Sequence, residues 1–238
     1  PFSYKAAKWL NDNNIKIFKI GSGECNNIPF IKYVCSFKKP MIISTGMNNL
    51  DTVKKTVKIV KRHNIPHALL HCVNLYPVDH KYIRLNRLNK MIRIFKNSLI
   101  GYSDHSIGNT IPIAALALGA KIIEKHFVIE KNRKGPDIIC SMDKKELKDL
   151  LAASIKIHEA FRSNKEIISE EDKSRRFAFH SVVSKKDINK NEVLSWKNLT
   201  TKRPGTGDFP SYKIYRLIGK KTKKYIKKNH LIKKEYIK

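Results

Sequence analysis

Between residues 15 and 162 the chain alternates short β-branched runs with amphipathic stretches, and this period limits its fold more than any other feature. Repeated βα units place helices over a parallel sheet. Strands are expected over residues 15–20, 41–44, 68–73, 99–102 and 121–125. Leu50, Val53, Val57 and Val60 recur at helical spacing, as do Leu85, Leu88, Ile92 and Phe95, so each set forms one apolar stripe that can cover a sheet. A last helix is expected over residues 143–162, with Leu147, Leu150 and Leu151 inward.

Each expected strand ends in polar residues: Ser22 and Glu24, Ser44 and Thr45, Asn74 and Tyr76, Ser103 and His105, and His126. An open doubly wound sheet concentrates ligand contacts at one switch point, whereas a (β/α)8 barrel gathers them from successive strand ends. The pattern predicts an α/β chain with a TIM barrel over residues 1–162, some of its strands not in this chain. Residues 163–176 carry Glu170, Glu171 and Asp172 without an apolar period, and a linker is expected over 163–179. Short β-like runs at 181–184, 199–202, 217–218 and 225–226, punctuated by Gly and Pro, predict a small β-rich domain over 180–238.

Residues two apart on a strand share a face, so Ser103 points with His105 and Glu124 with His126. If neighbouring strands carry them, the two imidazoles meet at a barrel mouth, a donor set suited to a divalent metal with open positions for water and substrate. Taken singly, a histidine at a strand end is more often a hydrogen-bonded structural residue than a metal ligand. His71, within the apolar LLHCV run, reads as structural. Lys19 ends an otherwise apolar strand before Gly21, Ser22, Gly23 and Glu24, where backbone N–H groups and an ammonium can hold phosphate or carboxylate; the alternative is a lysine that merely snorkels.

The formal charge of +29 raises the question of nucleic acid. Only ten of the 49 basic residues are arginine, and lysines such as Lys54, Lys55, Lys58 and Lys61 fall on polar helix faces. That is the bias of an AT-rich coding sequence and reads as a solvated surface rather than a nucleic-acid interface. Four cysteines without a CxxC pair are expected as free, mostly buried thiols of a cytoplasmic protein. No apolar run has membrane-spanning length.

The segments KIGSGE, PMIISTGM, LLHCVNLYP, GYSDH, ALGAKIIEKHF, GPDIICSMD and KRPGTGDFP, in this order, resemble the sialic acid synthase family. That family condenses phosphoenolpyruvate with an N-acetylated sugar aldehyde; the resemblance is greatest to its bacterial N-acetylneuraminate branch, with legionaminic and pseudaminic acid synthases as sister alternatives. It implies an N-terminal barrel and a C-terminal antifreeze-like (SAF) domain. It further implies His105 and His126 as ligands of Mn²⁺ or Mg²⁺, and Lys19, Ser22, Ser44, Asn74 and Ser103 as the phosphoenolpyruvate site. Glu24, Tyr76, Asp137, Phe177 and Arg203 would contact the amino sugar, N-acetylmannosamine in that branch, with Glu24 also a candidate for proton handling. The family pattern implies a homodimer in which Arg203 reaches the partner's barrel. Pro1–Phe2–Ser3 resembles the end of the family's STPFS motif, so the first barrel strands are expected upstream of this segment, and the fragment alone is expected to be inactive.

Overall fold

The computed structural model describes residues 1–162 and 166–238, so residues 163–165 of the expected linker lie outside the described residues. Two compact units emerge, Pro1–Ser163 and Asn164–Lys238. The first opens with α1 (Tyr4–Asp12), capped by the Ser3 hydroxyl, which accepts from the Ala6 N–H. Five βα steps follow: β1 (Phe18–Ile20), α2 (Ile28–Ser36), β2 (Met41–Ser44), α3 (Leu50–Arg62), β3 (His67–Cys72), α4 (Asn86–Ile94), β4 (Leu99–Asp104), α5 (Thr110–Ala117) and β5 (Ile123–Lys125), with α6 (Lys144–Ala160) last.

The strands pair in parallel and in strict chain order, β1-β2-β3-β4-β5. That order has no switch point and belongs to a singly wound, barrel-type sheet; among the described residues it is open, with β1 and β5 each bonded to one named strand. Alternation divides the sheet's faces. Phe18, Ile20, Met41, Ile43, Leu69, Ile100 and Tyr102 enter the core beneath the helices, while Lys19, Ser44, Cys72, Ser103 and Glu124 take the other face at the strands' C-terminal ends.

The helices form where the apolar stripes predicted. On α3, Val53, Val57 and Val60 are buried, each contributing about 1.5–3 kcal/mol, and Asn49 caps its start by accepting from the Thr52 N–H at 2.8 Å. On α4, Leu88 and Met91 are buried while Leu85 and Phe95 become its caps. Asp143 and Glu146 form a reciprocal capping box on α6.

Four expectations need correction. β1 is shorter than residues 15–20 because the Ile15 N–H still bonds Leu10 O in the turn ending α1, with Asn14 at φ 58°. On α6, Leu150 is buried but Leu151 is 55% exposed: it stands about 100° further round the helix than Leu150, outside the stripe that packs on α5. The stretch read as linker contains a helix, α7 (Asp172–Ala178). Residues 217–218 are no strand; Ser211–Arg216 is a 3-10 helix whose three-residue period carries Ile214 and Leu217 into one core.

The second unit is built on an antiparallel pair, β6 (Ser181–Ser184) and β7 (Leu199–Lys202), extended by single bridges such as Ile188 to Ile226. Val182, Leu194, Leu199, Ile214, Leu217 and Ile232 form its own core. All four cysteines are free and buried, as expected. No helix among the described residues is long and apolar enough to cross a membrane.

Candidate active site

At the C-terminal ends of the five parallel strands lies a cavity of about 300 Å³. Lys19, Gly21 and Ser22 follow from β1, Ser44 from β2, Cys72, Asn74 and Tyr76 from β3, Ser103 and His105 from β4, and Glu124 and His126 from β5. Of the residues picked out in the sequence, Lys19, Ser22, Ser44, Asn74, Tyr76, Ser103, His105 and His126 are therefore brought together. Period-two alternation at each strand end turns them to one side of the sheet.

His105 and His126 face each other with ring centroids 5.3 Å apart, and the Tyr76 ring lies 4.0 Å from His105 and 5.8 Å from His126. His105 Nδ1 is 2.8 Å from the Val73 carbonyl. A carbonyl only accepts, so Nδ1 carries the proton and Nε2 keeps its lone pair. Burial, opposed by that hydrogen bond, lowers the His105 pKa from 6.5 and favours the neutral ring that a metal requires. His126 Nδ1 stands 3.7 Å from Asp137 Oδ2, beyond a direct hydrogen bond. Among the described residues no three His, Cys, Asp or Glu side chains form a complete metal cage. Two facing imidazoles, one with its Nε2 lone pair free, are a donor set that would hold a divalent ion only with water or substrate oxygen supplying its other positions.

The same cavity also carries an ammonium and hydroxyls of the kind that hold an anion. Lys19 Nζ lies 3.2 Å from Glu124 Oε1 and 3.2 Å from the Ile20 carbonyl, and Ser44 Oγ donates to Glu124 Oε2 at 3.4 Å. The Ser22 hydroxyl oxygen accepts from the Gly46 N–H at 3.0 Å, which leaves its own O–H to donate. Asn48 ties the two loops by donating to the carbonyls of Ser22 and Gly46 at 2.9 and 2.6 Å. A Cβ at Gly46 would sit 1.8 Å from Asn74 Oδ1 and 2.9 Å from Ser22 Oγ, so any side chain there must displace both groups.

Glu124 was not assigned a role from the sequence, although its shared face with His126 was the signal that it enters the site. Glu24 is not among the residues lining the cavity; its carboxylate accepts from Asn27 Nδ2 at 2.8 Å. Asp137 touches the site only through its approach to His126. Phe177 and Arg203 belong to the second unit, where the Arg203 guanidinium lies 5.6 Å from the centre of the Phe177 ring.

A NeuB family profile matches residues 1–166, and a SAF domain profile matches residues 179–238. The chain belongs to the NeuB family. Among NeuB relatives, the N,N'-diacetyllegionaminic acid synthase of Campylobacter jejuni is 39% identical over 98% of this chain and 70% of its own length. The human N-acetylneuraminate-9-phosphate synthase is 32% identical over 98% of this chain and 65% of its own. A crystal structure of an N-acetylneuraminic acid synthetase from Leptospira borgpetersenii superposes with a TM-score of 0.69 at 31% identity, covering 73% of this chain and 61% of that one. The NeuB chain thus spans about two thirds of the length of such relatives. Its sheet is the corresponding part of the NeuB barrel, and its family is that of the sialic acid and related nonulosonic acid synthases.

Proposed function

We propose that this NeuB chain carries the condensing site of a phosphoenolpyruvate-dependent nonulosonic acid synthase, with N-acetylmannosamine as acceptor and N-acetylneuraminate as product. The observation that carries this reading is that one cavity at the strands' C-terminal ends holds two facing imidazoles together with an ammonium and several hydroxyls.

In this reading Lys19, Ser22, Ser44, Asn74 and Ser103 hold the enol phosphate, neutralise part of its charge and aim C3 at the sugar aldehyde. His105 and His126 hold Mn²⁺ or Mg²⁺, which when bound supplies Lewis-acid polarisation of the aldehyde oxygen. C3 of phosphoenolpyruvate attacks the aldehyde carbon, water adds at C2, and the C–O bond to phosphate breaks, leaving a 2-keto acid. Glu124, within reach of Lys19 and Ser44, is placed to accept a proton from that water. Tyr76 and Asp137 flank the histidines and are assigned to the sugar, as is Glu24, whose role as acid or positioner follows from the family resemblance. Phe177 and Arg203 are assigned to the sugar's N-acetyl group in the partner subunit of a homodimer, and the protein is placed in the cytoplasm.

A second reading, a diacetamido sugar as acceptor and legionaminic acid as product, is favoured by the 39% identity to the Campylobacter synthase. Calorimetry of phosphoenolpyruvate binding to the chain with Mn²⁺ tests the shared site. Phosphate release by the protein carrying the relatives' full barrel, offered each sugar separately, tests the acceptor. Release with N-acetylmannosamine supports the first reading; release only with the diacetamido sugar replaces it with the second. Absence of phosphoenolpyruvate binding and of phosphate release with both sugars refutes both.

A further inference from the structure

Immediately before each candidate metal-holding histidine stands a fully buried ion. Asp104 precedes His105, Lys125 precedes His126, and the two pair in register across β4 and β5. Their side chains are 0% and 1% exposed, with Lys125 Nζ 2.5 Å from Asp104 Oδ2 and 2.5 Å from the Ser106 carbonyl. Asp104 is otherwise saturated: it accepts from the Tyr102 hydroxyl at 2.9 Å, the Ser106 N–H at 3.1 Å and the Ser106 hydroxyl at 2.9 Å. Both residues border the cavity, but alternation turns their side chains to the helix side of the sheet, where the pair has almost no exposed surface.

A buried ion pair is a poor source of net stability, because desolvating two charges cancels most of their attraction and an apolar pair of similar shape does as well. What it supplies is geometry. An ammonium held by two acceptors on one strand end cannot slide along that strand, and a carboxylate with four donors cannot turn. We propose that Asp104 and Lys125 are positioning residues that lock the ends of β4 and β5 in the register that sets His105 and His126 side by side. The proposal rests on the metal reading of those histidines for its binding readout, and on geometry alone for its crystallographic one.

The decisive variant is Asp104→Asn with Lys125→Met, which removes both charges together, leaves neither ion orphaned and keeps an acceptor for Tyr102 and Ser106. Its thermal midpoint should stay near the parent's, while Co²⁺ added to the protein should bind about 10- to 100-fold more weakly with an altered d–d spectrum. In its crystal structure the two rings should stand further apart than 5.3 Å. Parent-like Co²⁺ affinity and spectrum in a folded double variant overturn the proposal, as does an unchanged ring separation. Should that double variant not fold, Asp104→Asn with Lys125→Gln, which also leaves no ion orphaned, is read by the same measurements and the same outcomes decide. A parent protein that binds no Co²⁺ refutes the metal assignment of the proposed function, and the ring separation in the variant then decides the positioning claim by itself.

Discussion

Acid should weaken the first unit through His71, a residue one position from the cavity wall but on the other face of β3. Its side chain has no exposed surface, its Nε2 lies 2.7 Å from the Ile83 carbonyl, and its Nδ1 has no partner. Nε2 therefore carries the only proton, and a second would be placed on a buried nitrogen without an acceptor. Burial, only partly offset by the Ile83 hydrogen bond, lowers the pKa from 6.5 to about 4. A folded-state value below the unfolded one means that the unfolded chain takes up the proton first. The associated stability is fully present above pH 6.5 and is lost as pH falls toward 4, a range worth about 3 kcal/mol. Urea unfolding, followed by far-UV circular dichroism at several pH values in this window, should be compared with the same series on His71→Leu. The variant should be about 1–2 kcal/mol less stable near neutrality, because the Ile83 carbonyl loses its donor. Its stability should also fall by about 3 kcal/mol less on acidification. Titrations shared by both proteins, His67 and His105 among them, cancel in the difference. Parallel pH curves for parent and variant would refute the reasoning.

Gly46→Ala should weaken phosphoenolpyruvate binding at least about tenfold by calorimetry, since its methyl group displaces Asn74 and Ser22 together; unchanged binding would show that neither group holds the ligand. Glu124→Gln should strengthen binding of inorganic phosphate by about fivefold or less, because it frees Lys19 from a half-exposed ion pair worth at most about 1 kcal/mol, and the gain should shrink in high salt. His126→Ala should abolish Mn²⁺ binding, measured by electron paramagnetic resonance, while leaving the urea midpoint near the parent's. Arg203→Ala should raise the KM for the sugar in the full-barrel protein without changing phosphoenolpyruvate affinity; a matching rise in the phosphoenolpyruvate KM would remove Arg203 from the sugar site.

The strand ends were legible because one rule, alternation, fixes where a side chain points once the strand is found. That rule alone carried Ser103, His105, Glu124 and His126 to a common cavity. The buried Asp104–Lys125 pair was not legible, since it depends on the register between two strands, which alternation within each strand does not fix. Leu151 misled because a leucine beside the stripe has the same composition as one within it. Residues 217–218 misled because a two-residue apolar run carries no period, and the three-residue spacing of Ile214 and Leu217 becomes visible only with the core they share. The 3-10 turn around Glu24, which directs its carboxylate to accept from Asn27, was not legible either, because a three-residue turn carries no period.

Phe177 and Arg203 sit on a module with its own hydrophobic centre, while every residue assigned to bond making is anchored to the parallel strands. Under that assignment, grip on the sugar's N-acetyl group and capacity for catalysis are separately heritable traits. Chimaeras that graft one relative's small module onto another's strands would let the first trait be exchanged while the second is kept.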